Sequence, residues 1–167
     1  MKTRHTFLAL ALLLLAAVPL AAQTAYDWSS VGSCGIMPYG GAQILTGPTM
    51  QIGSPFRGTV TARYPVTNTY GSATSDTPPW TTLTIAYTDD SASGSVTGTL
   101  YAIDKCTGTQ TQVCQVVSSD GSNSPQCSSC TFSSSTIDFL NNEYYVEVKV
   151  ARSVSTANEK IHSLGIN

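Results

Sequence analysis

Asn141-Asn142-Glu143-Tyr144-Tyr145-Val146-Glu147-Val148-Lys149-Val150 is the stretch on which the fold turns. Tyr144, Val146, Val148 and Val150 fall at every second position. A period of two places them on one face of a strand, since successive side chains alternate across a pleat. Asn141-Asn142 stands just before the run and offers the positive φ of a tight turn.

Outward from that strand the same pattern recurs. Val60, Ala62, Tyr64 and Val66 alternate with Thr59, Thr61, Arg63 and Thr67. Pro65 cannot donate to a ladder, so this strand belongs at an edge or carries a bulge. Leu83, Ile85 and Tyr87 alternate with Thr82, Thr84, Ala86 and Thr88, and Asp89 to Gly94 supplies a turn. Val96–Ile103 is a strand weakened at Gly98, and 105–108 turns the chain into a strand over 111–117. Shorter strands are expected at 43–46 and 50–52 around Gly47-Pro48, a short piece at 137–139, and a last strand at 161–166. Residues 26–41, 68–79 and 118–129, rich in Gly, Ser, Asn and Pro, read as loops. No run after residue 22 keeps the i, i+3, i+4, i+7 spacing of a helix. Eight or nine short strands predict an all-β antiparallel β-sandwich, Greek-key or jelly-roll-like, following an N-terminal signal helix.

That signal is the clearest feature at the N-terminus. Lys2 and Arg4 precede an apolar run from Phe7 to Leu20, interrupted only by Pro19. The run is too short to span a bilayer and fits a cleavable export signal, with cleavage expected after Ala22 or, second, after Ala25. The domain plan is therefore 1–22 signal peptide, 23–42 lead-in loop and 43–167 sandwich. The expected address is extracytoplasmic, secreted or periplasmic, and the leader has a bacterial style. Removing the leader leaves six basic and ten acidic residues, a net charge near −4. No basic patch is present, which argues against nucleic acid and anionic membrane surfaces as partners. Ser and Thr exceed a quarter of the remaining chain.

Two stretches, Asp27-Trp28-Ser29-Ser30-Val31-Gly32-Ser33 and Asp138-Phe139-Leu140-Asn141-Asn142-Glu143-Tyr144-Tyr145-Val146-Glu147-Val148 with Arg152-Ser153, resemble segments of small uncharacterised secreted bacterial β-sandwich proteins. The resemblance covers about a quarter of the exported chain. It implies an extracytoplasmic sandwich and carries no activity.

All five cysteines, Cys34, Cys106, Cys114, Cys127 and Cys130, lie after the signal, so an oxidising compartment makes disulfides the default. Five permit two bridges and one leftover thiol. Cys106 and Cys114 would need an irregular loop to meet, whereas Cys114 can reach Cys127 or Cys130 on a neighbouring segment. Cys127-Ser128-Ser129-Cys130 is a C-x-x-C. A redox pair would want a helix N-terminus, and zinc would want two more ligands where only His162 is available. A structural bridge is the favoured reading, with no cofactor and no metal.

Material for catalysis is sparse. His162 is the one histidine after the signal, and no G-x-S-x-G is present. Asp89, Asp90, Asp138, Glu143 and Glu147 are read as turn and strand-exterior charge rather than an acid–base pair. Asp89, Asp90 and Asp120 lack the spacing of a calcium loop. Trp28, Tyr39, Tyr70 and Trp80 fall in or beside loops and could stack on sugars or anchor the core. The expectation is a non-catalytic structural or adhesive surface β-domain acting by self-association. The alternative is a carbohydrate-binding module built on those four aromatics.

Overall fold

The computed structural model describes residues 28–37, 43–69, 77–119 and 121–167. The signal helix and its cleavage sites, with Tyr39, Tyr70 and Asp120, lie outside the described residues.

Ten strands follow in chain order: β1 (Trp28–Val31), β2 (Gln43–Thr46), β3 (Thr49–Ile52), β4 (Gly58–Val66), β5 (Thr82–Asp89), β6 (Gly94–Asp104), β7 (Gln110–Val117), β8 (Ser122–Thr131), β9 (Asn142–Arg152) and β10 (Lys160–Ile166). Every pairing is antiparallel. One sheet, called A here, runs β2-β3-β10-β5-β8, with β1 also on β10; the other, sheet B, runs β4-β9-β6-β7. β3 pairs with Lys160 and Ile161 while β1 pairs with Ser163 to Ile166, so two strands share one edge of β10.

The alternations seen in sequence become the inner faces. Tyr64, Leu83, Ile85, Tyr87, Val96, Leu100, Val146, Val148, Val150 and Ile161 are buried between the sheets. Each fully buried aliphatic side chain contributes about 1.5–3 kcal/mol. β4 is an edge strand, which is where Pro65 can sit without breaking a ladder. Gly98 has a packing reason: a methyl there would lie 2.8 Å from Ile85 Cγ2 of the facing sheet.

Four expectations change, one of them at 137–139, where a short strand piece is expected and the chain instead follows the 3-10 turn Ser134–Thr136 without pairing. Residues 28–31, inside the expected lead-in loop, form β1, because the chain's last strand offers Leu164 to Ile166 as a free edge for them. Residues 122–129, read as loop, belong to β8, ten residues paired to β5. Ser, Asn and Pro depressed the strand signal there. A strand at a sheet edge tolerates them, because one side of its backbone faces no ladder. Last, no residue other than glycine has positive φ among the described residues, so Asn141 and Asn142 do not turn the chain that way. The Asp138 carboxylate does it instead, accepting from the N–H groups of Leu140 (2.9 Å) and Asn141 (3.4 Å).

Cys114 and Cys130 form a disulfide with Cα atoms 6.1 Å apart. It ties β7 of one sheet to β8 of the other and closes that flank. A bridge closing so short a loop contributes about 3 kcal/mol.

Candidate functional site

The outer face of sheet B carries a connected set of interacting side chains open to solvent. Its rows follow from register. Arg63, Glu147, Thr99 and Gln115 lie side by side across β4, β9, β6 and β7, and Pro65, Tyr145, Tyr101 and Gln112 form the next row. Cross-strand neighbours sit about 4.5–5.5 Å apart, close enough for direct contact. The Tyr101 and Tyr145 rings stack with centroids 5.3 Å apart and planes 26° apart. From the opposite neighbouring strand, the Arg63 guanidinium lies 5.3 Å over the Tyr145 ring. Arg63, Tyr145 and Tyr101 are therefore three planar groups packed into one ridge.

The ridge is fixed from below. Glu147 is 8% exposed, and its two oxygens each take a cation at 3.1 Å: Arg63 Nε on one and Lys149 Nζ on the other. Gln115 donates to Thr99 Oγ1 at 3.1 Å in the same row. Burial raises the Tyr145 phenol above its ordinary value, against the pull of Arg63, so it is a neutral donor at physiological pH. Next to the ridge is a hollow of about 360 Å³ lined by Ile36, Pro65, Ile103, Glu143 and Tyr144 as well as Arg63 and Tyr145. Ile36 is 63% exposed at its rim, held there by two backbone bonds to Arg63 of 2.7 and 2.8 Å.

No protein-family model, curated protein or solved structure matches this chain. The two stretches that carried the resemblance are β1 with its following 3-10 turn, and the Asp138 turn with β9.

Of the four aromatics read from the sequence as a platform, the structure describes Trp28 and Trp80, and both belong to the core. Trp80 is fully buried and Trp28 is 7% exposed, so neither ring can meet a sugar face. Trp80 instead packs edge-on against Phe139 at 5.8 Å, and Phe139 against Tyr144 at 5.1 Å, plugging one end of the core. The C-x-x-C does not act as a unit either. Positions three apart on a strand point to opposite faces. Cys130 points inward to Cys114, while Cys127 is an exposed free thiol, as are Cys34 and Cys106. Among the described residues, no three His, Cys, Asp or Glu side chains are grouped to hold a metal ion.

The remaining candidates are scattered. His162 Nε2 lies 2.8 Å from Thr88 Oγ1, and burial, then Lys160, lowers its pKa. Asp89 is buried and accepts the Ser118 hydroxyl, and Asp90 accepts the Asn158 N–H at 3.0 Å. Asp138 and Glu143 sit at the other end of the sandwich. β6 runs its whole length between Gly94, near Asp89, and Asp104, opposite Asn142. Eleven residues of strand span about 35 Å, far beyond the reach of a carboxylate pair.

Tyr101, Tyr145 and Arg63 were not among the sequence candidates. The available signal was parity: each sits on the face opposite the apolar alternation of its strand, where the rings of Tyr101 and Tyr145 are out of place.

Proposed function

We propose that this chain is an exported, non-catalytic adhesive surface domain that engages a protein partner, a second copy of itself in the simplest case, through the outer face of sheet B. The observation that carries the reading is the Arg63–Tyr145–Tyr101 ridge beside the apolar hollow at Ile36. Tyr and Arg dominate the energetics of protein interfaces, and rings already locked by stacking lose little entropy on binding. The Cys114–Cys130 bridge is compatible with an extracytoplasmic address. A glycan platform fits less well. Tyr145 is covered by Tyr101 on one side and Arg63 on the other, which leaves few open ring faces for stacking.

The test is association as a function of concentration, by sedimentation or light scattering, alongside capture of partners from the extracytoplasmic fraction. Tyr101→Ala and Tyr145→Ala should each weaken association about 30-fold, the size of an interface hot spot. Monomers at every concentration, with partner capture unchanged by both substitutions, would sink the proposal.

A further inference from the structure

The outer face of sheet A differs in kind. It holds a trough of about 550 Å³ with two free thiols, Cys34 and Cys127, among its lining residues. The floor is made of small side chains in register. Cys127 lies beside Ala86 and Ala86 beside Ser163; Thr84 and Gly165 pair in the next row. Cys34 enters from the 3-10 turn Gly32–Cys34 that follows β1.

The Cys114–Cys130 bridge decides why Cys127 is there. With Cys130 held inward, strand parity turns Cys127 outward and away from both bridged sulfurs. Nor does Cys34 offer it a partner. Both are free thiols. Thiols left exposed in this way, in a chain read as exported, meet disulfides from solution.

We propose that this trough is a covalent capture site for a small disulfide, with Cys127 and Cys34 as its attachment points. The Cys127 thiolate attacks one sulfur of RS–SR. A bond forms between Cys127 Sγ and that sulfur, the original S–S bond breaks, and the departing RS⁻ takes up the proton given by the thiol. The incoming disulfide is the oxidant, so no other is required. The retained RS group then lies along Ala86, Thr84 and Ser163 instead of projecting into water. The trough volume is within the range of small-molecule sites, about 300–1,000 Å³. Cys106 is the internal control, an exposed thiol on the turn after β6 and outside the trough residues.

Oxidised glutathione is the probe. The purified protein is incubated with it, quenched with acid, digested without reduction, and each cysteine peptide is quantified by mass. The same reaction in urea gives each thiol's unfolded rate. The native-to-unfolded rate ratio should be at least about tenfold higher for Cys127 and Cys34 than for Cys106. Ala86→Phe, which fills the floor, should remove that advantage and leave Cys106 unchanged. Equal ratios at all three thiols, or a direct Cys34–Cys127 bridge as the main product, would overturn the proposal. The urea comparison decides the matter even if Ala86→Phe does not fold. Sheet B takes no part in this readout, so failure here leaves the adhesive reading untouched.

Discussion

The two ends of the sandwich both use carboxylates, and they use them in opposite ways. At one end Asp104 and Asp138 are turn builders. Asp104 Oδ1 accepts the N–H groups of Cys106 (2.9 Å) and Thr107 (2.7 Å), and Asp138 Oδ2 accepts the Asn141 amide at 2.6 Å. Hydrogen bonds, first from the Thr107 N–H and first from the Asn141 side chain respectively, hold both carboxyls below their ordinary range. At the other end Glu159 is 1% exposed and neither of its oxygens takes a hydrogen bond from another residue. Burial pushes its pKa up, its own backbone N–H opposes the rise, Asp89 and Asp90 add to it, and Arg152 opposes it more weakly. The acid that is satisfied and exposed favours charge, whereas the buried and unsatisfied one favours the proton.

Arg152 organises the second end. It donates to the carbonyls of Phe56 (2.8 Å), Ala157 (3.0 Å) and Gly53 (2.8 Å), pinning two loops at once. Arg152→Ala should therefore give the largest effect, a loss of about 3 kcal/mol or more in urea unfolding, because buried carbonyls are left without donors. A cost under about 1 kcal/mol would mean the loops hold themselves.

Gly94→Ala comes next. A methyl at that position would fall on the Glu159 carboxyl group. Overpacking of this kind costs about 1–3 kcal/mol. In a Glu159→Ala background the penalty should largely vanish, and a double-mutant cycle measures that coupling.

Glu159→Gln isolates the charge. The folded state holds its proton more tightly than the unfolded chain, so this group's contribution falls as pH rises from the ordinary glutamate value toward the raised one. The substitution should stabilise the protein near neutral pH and bring no gain at pH 3. His162 has the opposite slope, since its lowered pKa costs stability as pH falls through its ordinary value. The variant-minus-wild-type difference removes that contribution.

Asp138→Asn is the smallest. Its lowered pKa supplies stability above the ordinary aspartate value that is lost as pH falls through the folded one. The carboxyl is screened by solvent, so the substitution should shift the melting temperature slightly at neutral pH and progressively less as pH falls. Pairing this profile with that of Glu159→Gln gives differences of opposite sign, and matching signs would erase the contrast between the ends.

Strands β4, β5 and β9 were legible because each buries one face, and burial writes a period of two into sequence. β1 and β8 were not, because their Ser-rich composition carries little strand signal and their partners lie far along the chain. Of the candidate site, the polar positions of Arg63 and Glu147 were visible, but the ridge was not, since it depends on β4, β9 and β6 lying side by side in one register.

By itself the sequence determined the strand class, the inward faces, Pro65 at an edge or a bulge and an acidic balance after residue 22, all properties of local pattern and composition. Tertiary structure alone decided that Trp28 and Trp80 are core, that Cys114 bonds Cys130, that Cys127 faces away from both, and that Tyr101 meets Tyr145. These depend on which strands become neighbours and in what register, and a shift of one residue would turn every side chain of a strand to its other face.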